Sequence, residues 1–299
     1  MVEITENHKA GFISIVGKPN VGKSTLMNEL VGEKLSIITS KAQTTRHRIM
    51  GIVNGVMEDV PFQLVYSDTP GIIKPMYELH NAMMEFVHGS LEDGDVILFV
   101  TDIFEKYDEE DAIDRLKKTD SPIILIINKT DLATPEQIEE KIAHWKSVFN
   151  PAEIRTISAL KKEGVEELLP LIVKYLPQHP PYFPKDELTD KPERFFAAEI
   201  IRERILMNYK KEIPYSCEVV ITSFKESDDI IRISSEIYVE RATQRAILLG
   251  HKGERMKKVG TEARLEMEKF FAKKIFLEQY IKVEPDWRQK KAKVEGFGY

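Results

Sequence analysis

Cysteine is almost absent from this chain, Cys217 being its only one. A lone thiol excludes an internal disulfide, and with it the small stapled folds of secreted proteins, and points to a reducing compartment. Cys217 alternates with apolar neighbours, which assigns it to packing rather than to nucleophilic chemistry. Long apolar runs are lacking too. The longest, 96–100 and 123–127, fall far short of the ~20 residues that span a bilayer and read as buried strands. The opening residues MVEITENHK lack the apolar stretch of a secretory signal. No repeat or low-complexity tract stands out. The formal charge of −6 excludes a strongly basic protein as a whole, but it is unevenly spread. Residues 1–194 hold 22 basic against 32 acidic side chains, and residues 195–299 hold 21 against 17. A mildly basic C-terminal third on an acidic chain suits a polyanionic partner at that end.

The 299 residues, 42% hydrophobic and 31% charged, suit about two domains. The first part alternates β-branched runs with helical stretches. Strands are expected at 12–16, 62–67, 96–101, 123–128 and 154–158, and helices at 23–31, 78–88, 109–117, 135–149 and 164–175. Continuous apolar strands separated by helices predict an α/β fold with a mostly parallel sheet covered on both faces. A further strand at 49–53 is followed by Asn54-Gly55, a two-residue hairpin signal. The proline-rich stretch from Leu176 to Pro184 breaks the pattern. The expected division is a first domain over 1–180, a linker over 181–193 and a second domain over 194–299. The second domain reads as helix 193–209, strand 217–224, a polar turn at 226–229, and a strand presenting Ile231, Ile233, Ile237 and Val239 on one face. A short helix then ends at Gly250. A longer one carries Met256, Val259, Ala263, Met267 and Phe270 at spacings of three and four, and a last strand runs over 275–283. This is a small α+β unit.

Gly17-Lys18-Pro19-Asn20-Val21-Gly22-Lys23-Ser24 matches G-x-x-x-x-G-K-[ST] and lies between a strand and a helix, as a phosphate-binding loop must. The backbone N–H groups wrap phosphates, Lys23 bridges the terminal ones, and the Ser24 hydroxyl serves Mg²⁺, with Thr25 following. Asp68-Thr69-Pro70-Gly71 ends a strand; its carboxylate suits Mg²⁺ and its Gly71 N–H suits a γ-phosphate. Asn128-Lys129-Thr130-Asp131 selects guanine: Asp131 accepts from the ring N–H and exocyclic amine, Asn128 ties the loop to the phosphate loop, and the Lys129 stem covers the ring. Ser158-Ala159-Leu160 supplies a backbone N–H to the base carbonyl. A site that pairs polar groups with its ligand in this way rejects adenine by ~10⁴ or more. GTP and GDP are therefore the expected ligands. These motifs in this order resemble the translation-factor-like GTPases.

Lys41-Ala42-Gln43-Thr44-Thr45-Arg46-His47-Arg48 occupies the place of a first switch loop, whose hydroxyl completes the Mg²⁺ shell only with the γ-phosphate present. Thr45 is the first choice and Thr44 the alternative, which makes Ser24, Thr45 and Asp68 the expected metal set. The residue after Gly71 is Ile72, which cannot orient water as a glutamine would. Lys23, Asn20, Thr45 and Gly71 are the expected catalytic group. Asn20 enters by resemblance: GTPases with an apolar residue after D-x-x-G carry an asparagine here beside a K⁺ ion.

Gly250-His251-Lys252-Gly253 lies between two helices after a strand, which resembles a KH domain, here of type II, whose G-x-x-G loop clamps single-stranded nucleic acid. Arg255, Lys257 and Lys258 extend the charge, with Arg245 at its flank. The whole chain now resembles the Era family of bacterial ribosome-assembly GTPases, through 17–25, the K-A-Q-T-T-R-H-R segment, 68–71, 128–131, 158–160 and 250–253 with Gly260-Thr261. K-A-Q-T-T-R-H-R is the most distinctive of these. Family members usually carry Lys-Gly between the two loop glycines, where this chain has His251-Lys252. The resemblance implies a monomeric GTPase that binds the 3′ end of 16S ribosomal RNA and acts on the 30S subunit, with GTP favouring the bound state. It also implies a cytoplasmic location with peripheral association with the inner membrane, although the sequence shows no anchor. A nucleotide-gated scaffold for a protein or membrane partner is the alternative. A tRNA-modifying GTPase is disfavoured, since such enzymes need further catalytic domains.

Overall fold

A computed structural model describes residues 7–39, 41, 43–105 and 116–299. The helix expected at 109–117 lies almost wholly outside the described residues. The chain divides into two compact units. The first comprises Met1–Ser36, Thr45–Lys74 and Met83–Asp190, and the second Ile37–Thr44, Pro75–Ala82 and Lys191–Tyr299.

The first unit is built on a six-stranded sheet of order β2-β3-β1-β4-β5-β6. Its strands are β1 (Lys9–Val16), β2 (Ile49–Met57), β3 (Val60–Asp68), β4 (Val96–Asp102), β5 (Ile123–Asn128) and β6 (Glu153–Thr156). All pairs are parallel except β2 with β3. Every residue of β4 and β5 is buried, which requires cover on both faces and explains their unbroken apolar sequence. The helices are α1 (Lys23–Val31), α2 (Glu78–Asp93, of which the part from Met83 belongs to this unit), α3 (Pro135–Val148) and α4 (Leu168–Tyr175). Thr134 caps α3 in a capping box with Gln137, and Pro135 takes the first turn, where its missing N–H costs nothing. Trp145 of α3 meets Phe99 of β4 edge-on at 5.3 Å.

Two expectations fail here. The hairpin does not turn at Asn54-Gly55, which pair with Gln63 and Phe62 inside the ladder. It turns at Glu58-Asp59, where both residues are left-handed, with φ 49° and 64°. Gly55 serves packing instead: a Cβ there would lie 2.4 Å from the Phe62 ring, so the missing side chain seats the aromatic across the strand pair. The last strand ends at Thr156 rather than running to 158, and Ser158 makes only an isolated bridge to Glu163.

Residues 181–190 of the expected linker lie within the first unit. The side chain of Gln63, fully buried, accepts from the N–H groups of Tyr182 (2.7 Å) and Phe183 (3.0 Å) and donates to the Phe183 carbonyl (2.8 Å). Further along, the N–H of Ile52 donates to Leu188 O at 2.8 Å and that of Met50 to Asp190 Oδ1 at 2.9 Å. This segment is a strap along the outer strand β2.

The second unit carries a three-stranded sheet, β7 (Glu218–Glu226), β8 (Ile230–Val239) and β9 (Lys274–Val283), in that order. β7 and β8 are antiparallel, β8 and β9 parallel. Its helices are α5 (Glu193–Asn208), α6 (Ile213–Ser216), α7 (Ala242–Leu249), α8 (Glu254–Phe271) and α9 (Lys291–Gly296). The alternation in β8 buries Ile231, Ile233, Ile237 and Val239 against Met256, Val259, Ala263 and Met267 of α8 and against Cys217. Phe270, expected on the same face, is 40% exposed and lies with its ring tilted against that of Phe196 at 5.2 Å. Beyond β9 the sequence reading had nothing, yet Trp287 is wholly buried, its indole N–H donating to Ser216 O at 3.0 Å.

Candidate functional site

Four chain segments meet at the C-terminal edge of the six-stranded sheet, where a parallel α/β sheet places its ligands. The phosphate loop follows β1 and feeds directly into α1. Gly22 adopts φ 100°, and a Cβ on it would stand 2.2 Å from the Asn128 amide nitrogen. Any larger residue would push apart the phosphate loop and the loop after β5. The Asn128 amide ties the loop after β5 to two others: it donates to Val21 O of the phosphate loop at 2.8 Å and accepts from Ala159 N–H, after β6, at 3.0 Å. Asn20 is exposed and left-handed, with φ 66°.

Lys23 is buried, and its ammonium donates to the carbonyls of Gly17 (2.9 Å) and Lys18 (2.7 Å). Burial lowers its pKa to about 8, against the opposing pull of Asp68 and Glu105. An ammonium desolvated to this degree gains strongly from an added anion, which suits it to a phosphate.

Ser24, Thr45 and Asp68 come together. Asp68 Oδ2 accepts from Ser24 Oγ at 2.7 Å and from Thr45 Oγ1 at 3.5 Å, and the two hydroxyls lie 2.9 Å apart. Asp68 is fully buried and its second oxygen, Oδ1, has no hydrogen-bond partner. Burial raises the pKa of the carboxyl, against the Lys23 ammonium and the neighbouring hydroxyls of Ser24, Ser36 and Thr45. A carboxylate and two hydroxyls, with one buried oxygen left over, form the hard donor set that Mg²⁺ takes. Thr44 is not part of this group. Its hydroxyl bonds Thr39 Oγ1 at 2.8 Å and Lys41 O at 2.6 Å. Ile72 N–H donates to Gly17 O at 3.0 Å, which brings Gly71 to the phosphate loop, and Thr25 is half-buried in the first turn of α1.

On the base side, Ser158 Oγ donates to Asp131 Oδ1 at 2.7 Å and so fixes the carboxylate expected to read guanine. Ala159 is buried and Leu160 is 76% exposed beside it. Lys129 is left-handed, φ 63°, with its ammonium on Asn20 O at 2.7 Å. Sequence reasoning gave Ser158 a backbone role and missed the hydroxyl. It also missed Glu105, a carboxylate behind the phosphate loop, 3.7 Å from Lys18 Nζ and bonded by the Thr101 hydroxyl at 2.5 Å. Glu105 stands shortly after the apolar run 96–100, which was the available signal.

In the second unit the G-x-x-G loop joins α7 to α8. Lys252 and Gly253 are both left-handed, φ 48° and 80°, and His251, Lys252, Arg255, Lys257 and Lys258 are all exposed. Lys258 pairs at 3.7 Å with Glu262, whereas Gly250 turns the chain out of α7. Two further segments of this unit adjoin the nucleotide motifs in sequence. In Ile37–Thr44, the Lys41 ammonium donates to the carbonyls of Leu206 and Tyr209 at the end of α5, and Arg202 of α5, paired with Glu199, donates to Thr44 O. In Pro75–Ala82, Tyr77 lies under the Arg288 guanidinium at 4.8 Å, and Arg288 also pairs with Glu240.

Comparison with known proteins follows the same division. A family model described as a 50S ribosome-binding GTPase matches residues 12–129, and a KH-domain model matches residues 212–288. GTPase Era of Syntrophus aciditrophicus is 46% identical over 97% of this chain and 95% of its own length. A chloroplastic GTPase ERA-like protein of Oryza sativa is 41% identical over 98% of this chain and 70% of its own length. Among solved structures, Era in complex with MgGDPNP and nucleotides 1506–1542 of 16S ribosomal RNA superposes with a TM-score of 0.90. It has 41% identity and covers 98% of this chain and 99% of its own. An Aquifex aeolicus Era variant bound to GDP and AlF4⁻ gives a TM-score of 0.91 at 41% identity, with 97% and 99% covered.

Proposed function

The chain belongs to the Era family of GTPases, and on that premise we propose that its nucleotide state controls a grip on the 3′ end of 16S ribosomal RNA during assembly of the 30S subunit. The observation that carries the reading is the convergence of Ser24, Thr45 and the unpaired Asp68 oxygen beside the buried Lys23. Ser24, Thr45 and Asp68 would hold Mg²⁺, which screens the charge on the terminal phosphates. Lys23 bridges those phosphates, the phosphate-loop amides cradle them, and Gly71 offers its N–H on the other side. Asn128, Asp131 and Ser158 recognise and frame the base, with the Ala159 N–H at its carbonyl.

Ile72 offers no group to orient water, so the chain needs another source of positive charge. A K⁺ ion beside the left-handed Asn20 fits that need. Turnover in KCl well above that in NaCl is the expected result, and equal rates would remove the ion from the mechanism.

The RNA side is assigned to Gly250, His251, Lys252, Gly253, Arg255, Lys257 and Lys258, where the exposed cations of Lys252, Arg255, Lys257 and Lys258 suit a phosphate backbone. The test is binding of an oligonucleotide with the 16S 3′-terminal sequence over a range of KCl concentrations, in GDP and in a non-hydrolysable GTP analogue. Affinity should fall steeply with salt, and Lys252→Ala should flatten the slope of log K against log salt by about 1. Affinity insensitive to salt would favour a protein scaffold instead. Residence in the cytoplasm and action as a monomer follow from the same reading. Among the described residues no helix is long and apolar enough to cross a membrane. Attachment to the membrane surface is a separate question, answered by flotation with anionic vesicles.

A further inference from the structure

The nucleotide motifs leave one carboxylate at the sheet edge without a role. Asp102, the last residue of β4, is 6% exposed and pairs in register with Asn128 of β5. Its Oδ1 accepts from Phe104 N–H at 2.8 Å, a local turn that fixes the direction of the side chain. Its Oδ2 accepts from Lys129 Nζ at 2.6 Å. The same ammonium donates to Asn20 O at 2.7 Å. One lysine therefore joins three elements: the end of β4, the loop that reads the base, and the phosphate loop.

The geometry makes the carboxylate the directing partner. Lys129 sits on a flexible four-carbon stem and leaves the backbone from a left-handed residue, so by itself it has many places to put its charge. Asp102 is buried and held by its own turn, so it decides where that charge goes. Asn20 is also left-handed, and its carbonyl accepts from the ammonium. The Asn128 amide is the first bridge between the phosphate loop and the base loop, and the Asp102–Lys129–Asn20 chain is a second, independent one.

We propose that Asp102 is a positioning residue for nucleotide binding, which fixes the Lys129 ammonium against Asn20 O, holds the two loops as one frame, and so sets how fast guanine nucleotide leaves. The inference rests on the reading of this edge as the guanine-nucleotide site. Pre-organisation of this kind acts mainly on dissociation, because the bonds that are lost are bonds of the assembled site.

The test is stopped-flow release of N-methylanthraniloyl-GDP from the full-length protein carrying Mg²⁺, for wild type, Asp102→Asn, Asp102→Glu, Lys129→Met and the double variant Asp102→Asn with Lys129→Met. Asp102→Asn keeps the acceptor for Phe104 and removes the charge. It should release nucleotide several-fold to about tenfold faster, as loss of the buried carboxylate from a half-buried charge pair does. Its association rate should stay within about threefold and its preference for GDP over ADP should be kept. Asp102→Glu should recover part of the slow release. In the Lys129→Met background, Asp102→Asn should add little, since its partner is already gone. A Lys129 variant still slowed by Asp102 in full, or an unchanged release rate in Asp102→Asn, would overturn the proposal. Should Asp102→Asn fail to fold, Asp102→Ser retains an acceptor for Phe104 N–H and takes its place. Wild-type protein that fails to bind GDP in the same assay would instead defeat the reading of the site itself.

Discussion

In the proposed function, specificity for guanine rests on one oxygen pair. Asp131 is exposed on its loop, yet it is not free to turn, because the Ser158 hydroxyl holds Oδ1. On the proposed reading the carboxylate would present its acceptors to the ring N–H and the exocyclic amine of a guanine, two donors facing two acceptors. Asp131→Asn turns one acceptor into a donor. GTP affinity is expected to fall by on the order of a hundredfold, while xanthosine triphosphate, which carries a carbonyl in place of the amine, should bind better than it does to the wild type. Competition against labelled GDP measures both. Unchanged GTP affinity would leave the base reading without its central residue. N-K-x-D after an apolar strand singles out Asp131 in the sequence. The hydroxyl that aims it was not legible there, because serine at a strand end is as often a simple turn residue.

Individual elements were legible in proportion to how local their causes are. The bounds of α1 follow from Gly22 and Gly32, which stand at its two ends in left-handed conformation. The strands β4 and β5 were plain from unbroken apolar runs buried on both faces. The β2–β3 turn was misplaced because Asn-Gly is the stronger local signal, and the packing of Phe62 on Gly55, a contact across strands, overrode it. The tail after β9 escaped notice for a similar reason. Its single tryptophan shows no periodicity, and its burial depends on a hydrogen bond to Ser216, seventy-one positions away. That bond and the Phe297 ring, edge-on at 5.3 Å, make Trp287 the anchor of the C-terminal segment. Trp287→Ala should therefore cost the second unit about 3–5 kcal/mol of stability, by transfer loss and by the cavity left behind. Urea unfolding followed by circular dichroism on the full chain would show this as a lowered first midpoint. A loss below about 1 kcal/mol would mean that the site collapses freely around the gap.

At the scale of the whole molecule, the partition of the chain matters more than either domain alone. The second unit is not one stretch of sequence. It takes in Ile37–Thr44, which ends one residue before Thr45, and Pro75–Ala82, which begins four residues after Gly71. Lys41 and Arg202 tie the first of these to α5, and Arg288 ties the second through Tyr77. The residues expected to sense the γ-phosphate are thus continued, within a few peptide bonds, by residues of the second unit, which carries the KH-domain match. Lys41→Ala removes the ammonium from the carbonyls ending α5. It should bring the ratio of RNA affinities in GTP analogue and in GDP closer to one, by a factor of about 5 or more if coupling is of the usual 1–3 kcal/mol. Paired titrations of one labelled oligonucleotide in the two nucleotide states measure that ratio directly, and an unaltered ratio would exclude Lys41 from the coupling.

The strap over β2 bears on how this protein can be divided in the laboratory. A truncation that stops at residue 180 would strip the outermost strand of its cover and leave the amides of Met50 and Ile52 without acceptors. Such an unprotected border recruits a matching strand from the next copy, and the product is precipitate. Ending the fragment at Asp190 retains the cover, so those ten residues separate a monodisperse fragment from an insoluble one.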